Sequence, residues 1–173
     1  MSGGILTCFA GALEYPGQHY QARLEACAAL WDSAELNAFR REVAGLSGEE
    51  MQELFTQTFD WNPDTSLDLG WHLFGENYDR GGFLIRLRGE LRRYGLTESG
   101  ELPDHLTSVL RLLERIPAAE ATPFARDFVV PALGKIATGL EKSSSPFLHL
   151  IKALEQAVAG QCWLPALTEA PNG

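Results

Sequence analysis

The chain of 173 residues has only three cysteines, and their spacing suits neither a metal site nor a disulfide framework. Cys8, Cys27 and Cys162 lie far apart in the sequence, and no Cys-x-x-Cys pair is present. Zinc-binding folds and small disulfide-rich folds need paired or closely spaced cysteines, so both classes are excluded. Isolated thiols are typical of cytosolic proteins, and we expect structural roles for all three.

Long apolar runs are also missing, since the sequence contains no 18 consecutive apolar residues. It therefore predicts no membrane-spanning helix and no membrane insertion. The first residues include no basic region, and Glu14 comes early, which argues against a secretory signal peptide. We expect a cytoplasmic protein with one hydrophobic core, as is usual at this length.

Positive charge is scarce. The sequence has 14 Lys and Arg residues against 23 Asp and Glu residues, a net charge of −9 and a pI near 4.9. Such a surface repels the phosphate backbone of nucleic acids, so a nucleic-acid partner is not expected. A partner that carries positive charge suits this composition better.

The motifs of the common catalytic and nucleotide-binding sites are absent: G-x-S-x-G, P-loop, H-E-x-x-H and G-x-G-x-x-G. The Gly-rich residues 79–83 follow no predicted strand and lack the Lys-Ser/Thr of a phosphate loop. The four histidines, at positions 19, 72, 105 and 149, show no metal-ligand spacing. The sequence therefore predicts no enzyme, no metal site and no cofactor of its own.

Apolar residues recur with helical spacing along nearly the whole chain, which predicts an all-α, single-domain bundle of about eight to ten helices. We expect this domain over residues 1–164 and a flexible tail over residues 165–173. Ser47 and Glu50 form a capping-box pattern, and Gly95 is placed to end a helix with a left-handed residue. Pro123 and Pro146 are predicted to begin helices, and Pro131 to kink one.

Acidic residues are concentrated between positions 47 and 79, where no Lys or Arg occurs. Aromatic side chains alternate with these carboxylates, an arrangement that can hold a peptide bearing Arg or Lys beside apolar residues. The sequence thus predicts a peptide-binding surface from Asp60, Trp61, Asp64, Asp68, Trp71, His72, Phe74, Glu76 and Asp79. The alternative is that the carboxylates coat solvated helix faces while the aromatic rings fill the core.

The sign of the charge then reverses. One helix carries Arg80, Arg86, Arg88, Arg92 and Arg93 with a single acid, Glu90. The first interpretation is a solvated helix face that pairs with the acidic segment. The alternative is contact with a client protein or with a phosphate-bearing cofactor.

Three short segments stand out as motifs. They are Leu-Glu-Tyr-Pro at residues 13–16, the block that runs from Phe59-Asp60 to Arg80-Gly81 through His-Leu-Phe-Gly at residues 72–75, and Glu-Leu-Pro-Asp-His-Leu at residues 101–106. Together they resemble the NarJ-type chaperones of nitrate reductase, within the wider TorD/DmsD-like group of redox enzyme maturation chaperones. Their order and approximate spacing match the family, and the resemblance extends over residues 5–164.

The resemblance implies an all-helical chaperone that binds the N-terminal leader-like peptide of a molybdenum-containing catalytic subunit, with nitrate reductase as the expected client. It also implies help with molybdenum cofactor insertion and contact with the proteins that make this cofactor. Glu101, Pro103, Asp104 and His105 would recognise the peptide or orient helices across a hinge. Asp104, in a loop expected to be exposed, could instead simply cap the helix that follows.

Other interpretations stay open at this point. The client could be a related oxidoreductase that acts on chlorate, selenate, dimethyl sulfoxide or a hydrocarbon. A nucleotide hydrolase that uses Asp104 and His105 is a further alternative, although no phosphate loop is present. The last alternative is a metal-binding or scaffold protein.

Overall fold

Every regular element in the computed structural model, which describes residues 4–96 and 100–161, is a helix. The all-α prediction is confirmed. In order, the elements are α1 (Ile5–Ala12), α2 (Tyr20–Leu30), α3 (Ala34–Val43), α4 (Gly48–Phe55), a π-helical turn (Thr56–Asp60), a 3-10 turn (Pro63–Thr65), α5 (Leu69–Phe74), α6 (Tyr78–Arg93), α7 (Leu106–Leu113), α8 (Ala118–Phe124), a second π-helical turn (Ala125–Val129), α9 (Val130–Ser143) and α10 (Phe147–Ala159).

Two helices form the centre of the bundle. Helix α1 packs against α2 and α7, while α10 packs against α3 and α9, and α1 and α10 also touch each other. The ring of Phe147 on α10 is fully buried, and its centroid lies 5.0 Å from that of Phe39 and 4.8 Å from that of Phe59. Aromatic pairs at such distances contribute about 0.5–1.5 kcal/mol each beyond the burial of their area.

The local signals at two helix ends are confirmed. The Ser47 Oγ accepts a hydrogen bond from the Glu50 amide at 3.1 Å, and the Ser47 amide donates to Glu50 Oε1 at 3.0 Å. Gly95 adopts φ +69°, a conformation that side chains disfavour. The Leu96 amide donates to the Leu91 carbonyl at 2.9 Å, which completes the turn that ends α6.

One predicted helix start is wrong. Helix α8 begins at Ala118, directly after Pro117, whose carbonyl accepts from the amides of Glu120 and Ala121 at 2.9 Å. Pro123 therefore lies inside α8 and begins no helix. Pro131, where a kink is predicted, lies in the first turn of α9, directly after the π-helical turn Ala125–Val129, and α10 begins directly after Pro146, as predicted.

Two of the three cysteines, for which structural roles are predicted, lie among the described residues. Cys27 is buried and Cys8 is half-buried, and both are free thiols. Burial raises the pKa of Cys27 to about 12 and also raises the pKa of Cys8, so both thiols resist ionisation and attack. Cys162 and residues 165–173 lie outside the described residues.

Within residues 4–96 and 100–161, no helix is both long enough and apolar enough to cross a membrane.

Candidate functional site

Two of the sequence motifs meet across one short backbone bridge. The Leu69 amide donates to the Asp104 carbonyl at 2.9 Å, and the Leu106 amide donates to the Leu67 carbonyl at 2.8 Å. Asp68 and His105 therefore face each other as an isolated antiparallel pair. This bridge brings the acidic segment of residues 47–79 directly beside residues 101–106.

Asp104 lies at the inner side of this bridge, with none of its surface exposed. Its Oδ2 accepts hydrogen bonds from the Gly70 amide at 2.8 Å, from Arg80 Nε at 3.3 Å and from Arg80 Nη2 at 3.2 Å. Arg80 Nη2 also lies 3.6 Å from Asp68 Oδ2. Gly70 has no room for a side chain, because a Cβ there would lie 2.5 Å from Asp104 Oδ2.

This arrangement corrects two expectations about residues 101–106. Asp104 is buried rather than exposed, and it does not cap α7. The N-cap is His105, whose Nδ1 lies 2.8 Å from Thr107 Oγ1 and 3.4 Å from the Thr107 amide. Pro103 is also buried, so only Glu101 and the half-buried His105, of the four motif residues, reach the surface.

A groove of about 540 Å³ opens on the outer side of the bridge, and we call it the acidic groove. Its walls carry four carboxylates, from Glu14, Asp60, Asp68 and Glu101. Its remaining lining consists of Leu13, Tyr15, Phe55, Phe59, Ser66, Leu67, Gly100, His105, Thr107 and Arg111. The groove thus combines a negative rim with an apolar floor.

A smaller pocket of about 260 Å³ continues the acidic groove, with which it shares Phe59, Asp60, Ser66 and Asp68. Trp71 and Arg80 are added to the lining here, with Asn62 and Pro63. The predicted peptide-binding residue Trp71 therefore lies beside the groove, in its extension.

The carboxylates of the groove differ in how far nearby cations neutralise their charge. Glu14 pairs with Arg23 at 2.8 Å and with Arg111, so its charge is balanced within the chain. Asp60 forms no ion pair with a described residue, and burial together with the charge of Glu101 raises its pKa. Burial and the nearby charge of Asp104 likewise raise the pKa of Asp68, although Arg80 opposes the shift. The groove therefore has negative charge in excess of its own cations.

The π-helical turn Thr56–Asp60 brings the charge and the apolar floor together. Its wider winding, in which the Trp61 amide donates to the Thr56 carbonyl at 3.2 Å, directs both Phe59 and Asp60 to the groove. The ring of Phe59 packs 4.9 Å from that of Phe55, whose edge contact with Tyr15 has a centroid distance of 5.8 Å. Tyr15 is 55% exposed and offers a contact surface at the rim. Turns of this kind are frequent at functional sites.

The other residues predicted for the peptide surface do not line this groove. Asp64 and His72 line a separate cleft against α9. Phe74 is half-buried and packs against the core, with its ring 5.3 Å from that of Phe83. Three more residues are exposed elsewhere: Trp61, Glu76 and Asp79.

Of the arginines predicted for client or cofactor contact, Arg86 and Arg93 line one cleft together with Glu90, Glu120 and Asp127, and the others lie elsewhere. Arg80 belongs to the Asp104 network. The Arg86 guanidinium lies 6.0 Å from the centroid of the Phe128 ring, and Arg93 pairs with Glu90 at 3.8 Å. Arg92 is exposed, and Arg88 is half-buried and has interactions of its own. The five arginines therefore do not all meet at one site, and their contact with a client or a cofactor stays a prediction.

Sequence reasoning did not assign Glu14, Tyr15, Phe55 or Arg111 to the site. The available signal was the Leu-Glu-Tyr-Pro motif at residues 13–16, which indicated the family but no role for its residues. The structure places this motif at the groove because α1 packs against α7, which carries Arg111.

No group of three or more His, Cys, Asp or Glu side chains among the described residues could hold a metal ion. The described residues thus combine an all-helical fold with an acidic, apolar-floored groove. Residues 21–152 match the family of nitrate reductase delta subunits, and the chain belongs to this family.

Over 152 residues, the chain is 33% identical to the nitrate reductase molybdenum cofactor assembly chaperone NarJ of Escherichia coli (strain K12). The alignment covers 82% of this chain and 64% of that protein, so the chain spans somewhat under two thirds of that relative's length. The probable nitrate reductase molybdenum cofactor assembly chaperone NarJ of Bacillus subtilis (strain 168) is 28% identical over 156 residues, with 84% and 83% covered. The resemblance inferred from the motifs is confirmed, and both names describe chaperones rather than enzymes, as predicted.

Proposed function

We propose that this chain is a chaperone that binds the N-terminal, leader-like peptide of a molybdenum-containing catalytic subunit in the acidic groove. The client is the catalytic subunit of nitrate reductase, and binding takes place in the cytoplasm before the cofactor is inserted. The chain has no catalytic role and contributes no cofactor in this proposal. Its other partners are the proteins that deliver the molybdenum cofactor.

The observation that carries the proposal is the excess negative charge of the groove. Partial loss of solvent and the charge of a neighbouring acid raise the pKa values of Asp60 and Asp68, although Asp60 as a whole residue is exposed. An arginine or lysine of a bound peptide would relieve this repulsion and form charge-assisted hydrogen bonds. A cationic ligand is therefore favoured over a neutral or anionic one.

The floor of the groove adds a requirement for apolar residues in the ligand. Leu13, Leu67 and the Phe55–Phe59 pair lie below the carboxylates, and Tyr15 projects at the rim. A peptide that combines basic and apolar side chains satisfies both parts of the groove. Exposed ion pairs contribute only about 0.2–1 kcal/mol each, which suits a chaperone that must release its client.

The test is a calorimetric titration with a synthetic peptide of the nitrate reductase N-terminus, at low and at moderate ionic strength. We expect binding that weakens as salt is added, because the Debye length falls to about 8 Å at 0.15 M. The double variant Asp60→Asn with Asp68→Asn should bind several-fold more weakly. The matched control, Glu49→Gln with Glu76→Gln, removes the same charge from exposed positions outside the groove and should bind as the wild type does.

Equal losses of peptide affinity in both double variants would show that only the net charge of the protein matters, and would contradict a binding site in the groove. Peptides from oxidoreductases for chlorate, selenate, dimethyl sulfoxide or hydrocarbons serve as competitors in the same titration. Tighter binding of one of these would keep the groove but replace the client.

A further inference from the structure

Helix α6 turns one side away from the bundle, and this side carries two of the most exposed apolar side chains among the described residues. Tyr78 is 94% exposed and Ile85 is 72% exposed. At about 100° per residue, Gly82 and Gly89 fall on the same side, so that the four residues occupy an arc of about 60°. We call this surface the outer face of α6. The solvent-facing side of a surface helix is normally polar, so this face has the character of a contact surface.

The two glycines leave the backbone of α6 open on both sides of Ile85. Gly82 and Gly89 are exposed, and a Cβ added at either would meet no atom within 4 Å. Packing within the described part of the chain therefore does not require glycine here, although glycine disfavours a helix interior. Without side chains at these positions, a second helix can approach the backbone of α6 closely.

The two ends of the outer face carry opposite charge. Asp79 lies in the first turn of α6, and Arg92 and Arg93 lie in its last turn. Asp79 and Arg92 are exposed and form no ion pair with a described residue, whereas Arg93 pairs with Glu90 at 3.8 Å. One acid and one arginine are thus available at opposite ends of the same helix.

Two copies of this face complement each other in the antiparallel direction. Tyr78 and Arg92 each lie seven residues from Ile85. A two-fold axis near Ile85 therefore brings Tyr78 and Asp79 of one copy beside Arg92 of the other. A parallel arrangement would instead bring acid to acid and arginine to arginine. Each contact of a two-fold interface occurs twice, so the assembly closes at two copies.

We infer that the outer face of α6 binds the same face of a second copy of this chain, in an antiparallel dimer with an Asp79–Arg92 pair at each end. The pair forms charge-assisted hydrogen bonds, and the Tyr78 ring offers the same guanidinium a cation–π contact. Helix α6 has 16 residues and is about 24 Å long, so an interface on this helix is smaller than the standard size of about 1,600 Å². The dimer is therefore weak and depends on the protein concentration.

The test is analytical ultracentrifugation of the full chain from micromolar to millimolar concentration. We expect a monomer of 19.0 kDa in reversible equilibrium with a dimer, and no larger species. Asp79→Arg alone and Arg92→Asp alone should each lower the dimer affinity at least tenfold. The matched control, Glu49→Arg, changes the net charge as Asp79→Arg does at an exposed position outside α6, and should dimerise as the wild type does.

An equal mixture of the two charge-reversed proteins tests the direction of the contact. One Asp79→Arg chain and one Arg92→Asp chain have opposite charges at both ends of an antiparallel interface. The mixture should therefore recover a heterodimer with an affinity close to that of the wild-type dimer. Losses in the single variants without recovery in the mixture would overturn the antiparallel contact.

A second pair of variants tests the close approach of the helices. Gly82→Gln and Gly89→Gln have room in the monomer, so Tm should not fall, but each should lower the dimer affinity at least tenfold. Gly134→Gln, at an equally open position on α9, should leave the dimer affinity unchanged. A monomer at every concentration, or a dimer that none of the α6 variants weakens, would overturn the inference. So would a chain that stays monomeric but binds phosphatidylserine vesicles through Arg92, which would assign the outer face to a lipid surface.

Peptide titration of the Gly89→Gln variant separates this inference from the proposed function. The nitrate reductase peptide should bind this variant as it binds the wild type, because no residue of the outer face lines the acidic groove. A loss of the dimer with retained peptide binding therefore concerns α6 alone.

Discussion

The carboxylate of Asp104 and the guanidinium of Arg80 are paired 3.2 Å apart, although 24 residues separate them in the sequence. Asp104 is wholly buried, and Arg80 is mostly covered, with 21% of its side chain exposed. The pair joins α6 to the loop before α7, while the Gly70 amide ties the same carboxylate to α5. Asp104 thus connects three helices from beneath the acidic groove, without lining it.

The first prediction concerns this pair. Asp104→Ala should lower the free energy of unfolding by about 1–3 kcal/mol, because it leaves the Gly70 amide without its acceptor and Arg80 with only the longer contact to Asp68. Asp104→Asn should also destabilise the protein, although it keeps a hydrogen-bond acceptor for the Gly70 amide. Urea denaturation measures both changes, with the exposed Asp79→Asn as control. Peptide affinity of the folded Asp104→Asn protein should be close to that of the wild type. If Asp104→Asn left the free energy of unfolding unchanged but lowered the peptide affinity, Asp104 would be assigned to direct recognition of the peptide.

The second prediction concerns the conflict between stability and binding at Asp60. Its folded-state pKa is higher than in the unfolded chain, so ionised Asp60 favours the unfolded state at neutral pH. This destabilisation shrinks as the pH falls through the raised pKa, and it is gone below the ordinary pKa of 3.8. Asp60→Asn should therefore raise Tm at pH 7 but not at a pH below that pKa, and it should weaken peptide binding. Calorimetric melting at several pH values tests this, with Glu76→Gln as control. A lower Tm at pH 7 would contradict the assignment.

The third prediction is the pH dependence of peptide binding. Asp60 and Asp68 take up protons at a higher pH than their ordinary value of 3.8, and protonation removes the charge that attracts a cationic peptide. Affinity should therefore decline as the pH falls towards these raised pKa values. At a pH near them, binding should also release protons, because a bound cation lowers both pKa values. Titration in two buffers of different ionisation enthalpy measures this release. Proton uptake on binding would argue against a cation at these carboxylates.

The fourth prediction compares two glycines on α9. A Cβ at Gly139 would lie 2.6 Å from the Asp64 carbonyl oxygen and 2.9 Å from Thr65 Cγ2, whereas one at Gly134 meets nothing within 4 Å. Gly139→Ala should destabilise the protein by about 1–3 kcal/mol, because the 3-10 turn must move away from the helix. Gly134→Ala should stabilise it by about 0.4–1 kcal/mol through the entropy of the unfolded chain. Equal effects of the two substitutions in urea denaturation would contradict this close packing.

Local signals predicted local structure well. The capping box at Ser47 and the left-handed Gly95 depend on interactions within a few residues, so the sequence shows both ends of each interaction. The prediction at Pro123 failed because Pro117 is an equally good boundary six residues earlier, and residue type alone does not rank the two.

The sequence predicted only some of the residues that line the groove, because the others arrive there through long-range packing. Asp60, Asp68 and Glu101 were assigned to a peptide-binding surface, and the structure brings them together. Glu14 was not assigned, because its place in the groove depends on packing between α1 and α7, across 97 residues to Arg111. The burial of Asp104 was not predictable either, since an aspartate before a helix has the same sequence pattern whether it is a cap or an internal ion-pair partner.

The π-helical turn Thr56–Asp60 has a consequence for how this surface varies between proteins. Such a turn contains one more residue than the α-turn that it replaces, and each residue rotates a helix by about 100°. Deletion of one residue there would restore regular winding and swing the acid and the aromatic ring to different sides. The set of side chains that lines the groove thus depends on chain length as well as on residue type. A homologue that lacks one residue of this turn but keeps the flanking side chains would have a differently lined groove.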